Sequence, residues 1–349
     1  MAKNTKELDT LIIDFVKNHP NSSSKEIHQG INQIVGYATV KRSIQGLINE
    51  NLLIAKGKSR GTKYAISPAY ELLIPIDTDT YFEKEIDERV IKTDFSYSLI
   101  SNQLSEISLF SNEELELLNQ LQQKFEQNIK SLTKEEFKKE FERLAIDLSW
   151  KSSQIEGNTY SLLETERLLK DKETASGKTK DEAVMLLNHK DALDFILENT
   201  DYVQPLTVAR IEDIHTLLTK ELNISRNIRQ RRVGISGTNY KPIDNEYQIK
   251  EAMGSMCSLV NEKNNVFEKA LLVLLLISYI QPFTDGNKRT ARIISNAILM
   301  SYKYCPLSFR TVESIDYKKA MLIFYEQNNI SAFKKIFISQ YQFAVETYF

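Results

Sequence analysis

Apolar residues recur at helical spacing in three short segments at the start of the chain. The first segment carries its apolar side chains at positions 8, 11, 12, 15 and 16. The second begins in the cluster Ser22–Ser24, residue types that favour helix N-caps, and the third runs from about Tyr37 to Asn51. Two β-like runs, residues 52–55 and 64–66, then flank a basic turn. The pattern predicts three helices followed by a hairpin.

Helical periodicity returns after a polar break and continues nearly to the end of the chain. Pro68 and Pro75 bracket the break, which predicts a linker over residues 76–90. Beyond the linker the spacing of apolar residues is that of helices. The most apolar of them covers Ala270–Ile280, and a shorter one is predicted over residues 293–300.

Another predicted helix, over about residues 133–157, has apolar residues at positions 137, 141, 144, 148 and 155. This spacing puts Ser152 beside the same face. The helix is expected to end at Gly157-Asn158, since glycine readily adopts the left-handed conformation of helix C-termini. Ser161 and Glu164 have the spacing of a capping box, which predicts the start of the next helix.

The composition excludes several classes of protein. The 349 residues are 42% hydrophobic and 26% charged, too apolar for a disordered chain and enough for two domains. The 11 Gly and 7 Pro favour helices over a turn-rich β protein. Two cysteines make no disulfide framework, and the longest apolar stretch, about 11 residues, is well short of the roughly 20 that span a bilayer. We therefore expect a soluble, cytoplasmic, mainly α protein.

Charge is unevenly distributed along the chain. Residues 1–70 hold ten Lys and Arg against five acidic residues, a net charge of +5, whereas the whole chain carries −2. Three helices followed by a basic hairpin resemble a winged helix-turn-helix domain, which we assign to residues 1–75. The basic residues of the third helix and the hairpin are the expected contacts to duplex DNA: Lys41, Arg42, Lys56, Lys58 and Arg60. The alternative is a protein-interaction module with a solvated basic face.

The segment Gln281–Arg292 carries the chemistry of the second part of the chain. A glycine-containing loop that opens a helix presents free backbone N–H groups and the positive end of the helix dipole, which favour an anion. An amide, three cations and a carboxylate able to hold Mg²⁺ stand beside it: Asn287, Lys288, Arg289, Arg292 and Asp285. A polyphosphate bound to a metal would satisfy these groups together, whereas the alternative is a structural loop with a solvated basic face.

This segment resembles the signature of the Fic family. That signature reads His, any, Phe, any, Asp or Glu, Gly, Asn, Gly or Lys, Arg, any, any, Arg. Every fixed position matches except the first, where Gln281 stands in place of histidine. The resemblance extends over about residues 90–349, and it implies a helical domain over residues 91–349 that transfers AMP from ATP to a hydroxyl group of a target protein.

The resemblance also implies a role for each matching position. Asp285 would hold the Mg²⁺ that bridges two phosphates of ATP, and positions 281 and 287 would be catalytic. The anion hole would consist of Gly286, Asn287 and Lys288. The ligands of the outer phosphates would be Arg289 and Arg292.

The missing histidine changes the expected chemistry. In the family it takes the proton from the attacking hydroxyl, and a glutamine amide does not accept a proton near neutral pH. A general base contributes ~10²–10⁴ in rate, so nucleotide binding should exceed turnover by far. None of the four histidines lies in the motif. His189 and His215 fall in helical patterns and are expected to be structural or surface residues.

The run Ser152–Gly157 resembles the inhibitory motif of the same family. That motif reads Ser or Thr, three of any, Glu, then Gly or Asn, and here it matches Ser152, Glu156 and Gly157. In this interpretation Glu156 pairs with Arg292 and denies it to the γ-phosphate. The motif lies before the core, as in the subclass with an N-terminal inhibitory helix. The alternative is an ordinary surface glutamate near a helix end.

Short β-like runs around Gly237, within residues 231–242, predict a hairpin. It resembles the Fic flap, whose edge aligns a target segment by strand addition, although a plain connecting hairpin would have the same pattern. Five residues are the candidate nucleotide contacts of this region: Ile235, Ser236, Gly237, Thr238 and Tyr317. For Tyr317, packing in the core is the alternative.

Functions of different classes are consistent with these patterns. One is an autoinhibited protein adenylyltransferase scaffold without its base, and the other is a nucleotide-responsive DNA-binding regulator without catalysis. A third is transfer from another nucleotide donor by a reaction that needs no base at position 281. The expected ligands and partners are Mg²⁺, ATP or another nucleotide, a target protein and duplex DNA, with a homodimer as one option and no membrane.

Overall fold

The computed structural model describes residues 2–31 and 35–349, without the side chains of residues 2–6 and of Arg60. The chain divides into two compact units. One comprises the chain up to Pro75 together with Glu106–Glu116, and the other comprises Ile76–Ser105 and Leu117–Phe349. Over the described ranges helices dominate and one two-stranded sheet occurs, which confirms the predicted mainly α fold.

The first unit has the order of elements that the apolar pattern predicted. Its regular elements are α1 (Ala2–Asn18), α2 (Ser24–Gly30), α3 (Tyr37–Asn49), β1 (Leu53–Lys56), β2 (Lys63–Ile66) and α4 (Tyr70–Leu73). The strands pair antiparallel, with Leu53 opposite Ile66. Ser23 and Glu26 form a capping box at α2, so the predicted N-cap in the serine cluster is confirmed.

The second unit opens with the segment predicted as a linker. The short helix α5 (Thr78–Phe82) lies within it. Arg89 forms an ion pair of 3.1 Å with Glu326, and the Tyr81 hydroxyl donates to the same carboxylate at 2.6 Å. Because the Glu326 side chain has no exposed surface, it depends on these partners. The segment predicted as a linker, residues 76–90, thus contains a short helix and two side chains that bond to Glu326 of the same unit.

Eleven further helices follow α5 in the described part of the chain, and a π-helical turn at Leu99–Gln103 leads into the first of them. They are α6 (Leu104–Glu106), α7 (Asn112–Ser131), α8 (Lys134–Ile155), α9 (Leu162–Asp171), α10 (Lys180–Glu198), α11 (Val208–Leu218), α12 (Glu246–Glu262), α13 (Val266–Ile280), α14 (Asn287–Ser301) and α15 (Ser314–Gln327). The last helix, α16 (Ser331–Thr347), completes the unit. None of the described helices is both long and apolar enough to cross a membrane.

Helices α13 and α14 are the centre of the second unit. Every residue of α13 is buried, and this helix packs against α12, α14 and α15. Gln281 ends α13 at φ +52°, and Gly286 precedes α14 at φ +82°, so two left-handed residues bound the turn. α14 begins at Asn287, six residues earlier than the predicted start at residue 293. The pattern of apolar residues placed the start of α14 too late, because the first buried residues of this helix are polar.

The structure differs from the predicted hairpin over residues 231–242, called the flap segment below. All of these residues are described, and they form an extended chain with a turn at Ser236-Gly237 and no paired strands. Its backbone groups bond to other parts of the unit instead of to each other. Arg89 Nη2 donates to the carbonyl of Gly237 at 3.0 Å, and the Lys241 N–H donates to the carbonyl of Thr93 at 2.7 Å.

The buried side chain of Arg229 ties the turn after α13 to the two ends of the flap segment. Its Nε donates to the carbonyl of Gln281 at 2.6 Å and its Nη1 to the carbonyl of Arg231 at 2.8 Å. Nη2 donates to the carbonyl of Ile243. Three carbonyls that no strand pairing satisfies thus share one guanidinium, whose planar fork can reach all of them.

We expect Arg229→Met to lower the free energy of unfolding by about 3 kcal/mol or more, because it leaves three carbonyls without a donor. Arg229→Lys should lose less, since an ammonium keeps the charge but cannot span all three acceptors. Urea unfolding of the full chain measures both.

Arg232→Met is the matched control. Arg232 pairs with Asp244 at 2.7 Å, but its side chain is 87% exposed. We expect a loss below about 1 kcal/mol for this surface pair. Equal losses for the two methionine variants would contradict the proposed role of Arg229.

Candidate functional site

The residues of the predicted anion site converge at the N-terminus of α14. Asn287, Arg289 and Arg292 are buried, Lys288 is half-buried and Asp285 is exposed. The N-cap residue Gly286 provides no side-chain acceptor for the first N–H groups of this 15-residue helix. Such N–H groups, together with the positive end of the helix dipole, favour a bound anion.

Helix α11 supports the turn that leads into α14. His215 Nε2–H donates to the carbonyl of Asp285 at 2.9 Å, and its ring stacks on Phe283 with 3.7 Å between centroids. Burial lowers the pKa of His215 to about 4, so the imidazole is neutral at physiological pH. A Cβ at Gly286 would meet this ring and Thr219 at 3.4 Å. His215 is thus a buried support of the turn, not a surface residue.

Gln281 and Asn287 cross-link the turn through their side-chain amides. Gln281 Nε2 donates to the carbonyl of Ser278 at 2.7 Å, and its Oε1 accepts from Asn287 Nδ2 at 2.9 Å. Asn287 also bonds the backbone of Phe283, accepting from its N–H and donating to its carbonyl, both at 2.8 Å. The Gln281 amide therefore holds the turn, and its oxygen already accepts a hydrogen bond.

Arg292 is held from one side by the end of α8. Its Nε donates to Ser152 Oγ at 2.8 Å, and its Nη2 donates to the Ser152 carbonyl at 3.0 Å and to Glu156 Oε1 at 2.9 Å. The structure therefore contains the predicted Glu156–Arg292 ion pair. Lys288 Nζ lies 3.4 Å from the other carboxylate oxygen. Burial raises the pKa of Glu156, but Arg292 and Lys288 outweigh it, so the pKa lies below its ordinary value.

The backbone at the end of α8 directs Glu156 into this site. Gly157 has φ +100° and its N–H donates to the carbonyl of Gln154, while the Asn158 N–H donates to the carbonyl of Ser153, both at 3.0 Å. These two bonds are a Schellman motif, which requires a left-handed residue that glycine adopts without strain. The predicted helix end is confirmed, and Glu156 is its C-cap residue.

Two arginines of the site keep buried N–H groups without a partner among the described residues. They are Nε and Nη1 of Arg289 and Nη1 of Arg292. Over the described residues, Arg289 forms one side-chain hydrogen bond, from its Nη2 to Asp285 at 3.3 Å. Buried donors without acceptors are rare in native proteins, and charged ones are costly. The site is therefore short of negative charge, as expected for one that takes an anionic ligand.

Tyr317, a predicted nucleotide contact, lies in the core beside Arg292. Tyr317 is fully buried, 5.2 Å from the Arg292 guanidinium and packed on Phe333. Within the flap segment, a Cβ at Gly237 would meet the side chain of Leu322 at 3.4 Å. Tyr317 is thus part of the core beside Arg292, which was the alternative considered for it.

The predicted DNA contacts lie on the surface of the first unit. Lys41 and Arg42 are exposed on α3, and Lys56 and Lys58 are exposed at the hairpin. Over the described ranges no ion pair involves these four residues, whereas the neighbouring Lys63 pairs with Glu26 at 2.8 Å. The side chain of Arg60 lies outside the described residues.

One carboxylate of the site could hold Mg²⁺. No group of three or more His, Cys, Asp or Glu side chains with metal-ligand spacing occurs in the described part of the chain. The Asp285 side chain is 65% exposed and stands beside the anion-binding N–H groups. Mg²⁺ commonly takes one or two carboxylates plus phosphate oxygens and water, so a single aspartate fits a metal that arrives with a polyphosphate.

Several residues of the site carry no signal in the sequence. His189, His215, Arg229 and Arg89 lie outside both motifs, and each enters the site region through contacts with distant parts of the chain. His189 and His215 are fully buried, so the surface alternative is excluded for both.

Residues 205–299 match the Fic/DOC family. A protein adenylyltransferase Fic of Nematostella vectensis is 31% identical over 172 residues, which are 48% of this chain and 40% of that protein. One from Aedes aegypti is 28% identical over 162 residues, 44% of this chain and 32% of its own length. The chain thus spans well under half of these relatives.

Two solved structures share the fold. A Fic domain containing signaling protein from Bacteroides thetaiotaomicron has a TM-score of 0.56 at 22% identity, over 66% of this chain and 94% of that one. Fic-1 from C. elegans has a TM-score of 0.58 at 19% identity, over 68% and 72% of the two chains. At this identity the likeness concerns the fold alone. The sequence match to the Fic/DOC family covers residues 205–299, and the fold shared with these structures agrees with it.

Proposed function

We propose that the second unit binds Mg·ATP at the N-terminus of α14 and is a restrained Fic adenylyltransferase scaffold with little transfer activity. The observation that carries this proposal is the pair of buried arginines at one helix N-terminus. Arg289 and Arg292 keep unpartnered N–H groups there, and among the described residues the carboxylates that contact these two side chains are those of Asp285 and Glu156. A ligand with several negative charges would complete the site.

In this proposal each group has a task toward the nucleotide. The first N–H groups of α14 and Lys288 would bind phosphate oxygens, and the two arginines would bind the outer phosphates. Asp285 would hold Mg²⁺, which when bound neutralises charge on the phosphates. The names of the relatives, protein adenylyltransferases, support AMP as the group transferred.

The transfer itself requires a proton acceptor. The hydroxyl oxygen of a target would attack the α-phosphorus, the bond to the β-phosphate oxygen would break, and pyrophosphate would leave while the hydroxyl gives up its proton. Gln281 does not accept that proton, since its amide is neutral and already bonded to Ser278 and Asn287. We therefore expect nucleotide binding with slow transfer.

The first prediction concerns Glu156. Glu156→Gly should tighten Mg·ATP roughly tenfold or more, because the ligand no longer displaces a charged hydrogen bond from Arg292. Calorimetry of the full chain measures this. Arg292→Ala should then weaken Mg·ATP more in the Glu156→Gly background than in the parent, where Arg292 is already occupied.

Glu173→Gly is the matched control for this change. Glu173 lies in the loop after α9 and pairs on the surface with Arg167, so its loss should leave Mg·ATP affinity unchanged. Equal affinities of the parent and Glu156→Gly for Mg·ATP would contradict an inhibitory role of Glu156.

The second prediction restores the base. In the Glu156→Gly background, Gln281→His should raise AMP transfer at least ~10²-fold over Glu156→Gly alone, with little further change in nucleotide affinity. The rate should rise with pH near the histidine pKa of ~6.5, before environmental shifts. Intact-mass analysis after incubation with Mg·ATP detects self-modification without a known target.

Gln281→Asn in the same background is the control, since it keeps an amide and supplies no base. Its transfer rate should stay at that of Glu156→Gly alone. A histidine variant that binds Mg·ATP yet labels neither itself nor any protein of a lysate would exclude the missing base as the sole deficit. The chain would then be a nucleotide-binding regulator.

A second candidate function, binding of duplex DNA, concerns the first unit. The observation that favours it is the set of exposed basic residues on α3 and the hairpin, for which the described structure contains no ion pair. Such unpaired cations can neutralise DNA phosphates. Protein recognition through the same basic face is the alternative.

For this function we expect Lys41→Ala/Arg42→Ala to weaken DNA binding of the full chain and to reduce its salt dependence. Each lost phosphate contact should lower the slope of log K against log salt by about 0.9. Fluorescence anisotropy across a salt series measures the slope.

Lys138→Ala/Lys139→Ala provides the control, because these are also adjacent exposed basic residues on a helix, α8 of the second unit. It should leave the slope unchanged. Absence of binding at low salt, or binding that does not respond to salt, would assign the first unit to protein recognition instead.

A further inference from the structure

His189 lies outside both motifs and beneath the candidate nucleotide site. It belongs to α10, and its side chain has no exposed surface. Burial, with Arg292 and Arg289 nearby, holds the pKa of His189 well below its ordinary value, so the imidazole is neutral. A neutral imidazole has one N–H and one nitrogen that accepts a hydrogen bond.

The contacts of Ser152 define the direction of the hydrogen bonds between α10 and α14. Arg292 Nε–H can only donate, so Ser152 Oγ accepts this bond of 2.8 Å. The hydroxyl hydrogen of Ser152 is then free to donate, and His189 Nε2 lies 2.8 Å away. With Nε2 as acceptor, the ring N–H is on Nδ1, which faces Ser149 Oγ at 3.5 Å. With this assignment, Arg292 Nε–H donates to Ser152 Oγ, the Ser152 hydroxyl donates to His189 Nε2, and His189 Nδ1–H faces Ser149 Oγ.

Arg292 has two kinds of contact with α8. Ser152 binds its Nε and Nη2 through groups that have no exposed surface, whereas the Glu156 side chain is 21% exposed and binds Nη2 alone. Nη1 has no partner in the described structure. A ligand phosphate can therefore replace the carboxylate while Ser152 keeps its hold on the guanidinium.

We propose that His189 is a positioning residue of the nucleotide site, which acts through Ser152 on Arg292. By accepting the Ser152 hydroxyl hydrogen, His189 keeps the oxygen lone pairs of Ser152 directed at Arg292 Nε when phosphate takes the place of Glu156. Without His189 the hydroxyl turns to the carbonyl four residues earlier on α8, the usual competing acceptor of a helical serine. This inference rests on the proposed function, since it takes Arg292 as a phosphate ligand.

The test compares two replacements of His189 in the Glu156→Gly full chain, with Mg·ATP affinity measured by calorimetry. His189→Phe keeps a planar ring without an acceptor, and we expect about tenfold weaker binding. His189→Gln places an amide oxygen near the position of Nε2, and we expect affinity within about twofold of the parent. If glutamine restores the affinity that phenylalanine loses, the loss is due to the missing hydrogen-bond acceptor and not to poorer packing.

A second comparison ties the effect to Arg292. In the Glu156→Gly/Arg292→Ala chain, His189→Phe should change Mg·ATP affinity less than twofold, because the residue that it positions is gone. A purely structural role would produce the same loss in both backgrounds. Should His189→Phe fail to fold, Ser152→Ala takes its place in this comparison, since it removes the middle of the same path.

The outcomes distinguish the two proposals. Unchanged or tighter Mg·ATP binding by His189→Phe, a loss that persists without Arg292, or failure of His189→Gln to rescue would overturn the positioning role alone. Absence of Mg·ATP binding by Glu156→Gly itself would overturn the proposed function, and the inference with it.

Discussion

The buried guanidinium of Arg292 is the constraint on which the site depends. A cation without exposed surface must be paired, and among the described residues the only carboxylate bonded to it is that of Glu156 at the end of α8. Ser152 takes two further N–H contacts. The end of α8 and the first turns of α14 are thereby joined through one side chain. In the proposed function an anionic ligand takes the place of Glu156 and balances this charge, which would link ligand binding to the end of α8.

The turn between α13 and α14 is held by protein contacts alone. Amides of Gln281 and Asn287 bond each other and the turn's backbone, His215 holds a carbonyl from α11, and Arg229 holds another. The first N–H groups of α14 are thus held in place by contacts within the protein, which is the condition for electrostatic stabilisation at low reorganisation cost. Glutamine at position 281 is part of this framework, and its neutral amide does not accept a proton near neutral pH. The residue at position 281 can therefore hold the turn without acting as a general base.

Local signals predicted most of the fold and half of the candidate site. Capping boxes, the glycine after Glu156 and the apolar run of α13 each act within a few residues, and the elements that they predicted are present. The flap segment shows the limit of such signals. Its β-like residues predicted paired strands, but Arg89, Arg229 and the backbone of Thr93 compete for its carbonyl and N–H groups.

The sequence by itself determined which residue types meet at the turn into α14 and the absence of a histidine there, because this motif is short and its chemistry depends on residue type and spacing. The pairing of Glu156 with Arg292 was implied only by the resemblance to the Fic family, since the two residues lie 136 positions apart. Only the tertiary structure decided that the arginines are buried with N–H groups unpartnered and that Tyr317 belongs to the core. The packing of the helices also decided that His189 of α10 contacts Ser152 and that His215 of α11 contacts the turn before α14. Burial and hydrogen bonds between residues tens of positions apart depend on how helices pack, and no local pattern of the chain encodes them.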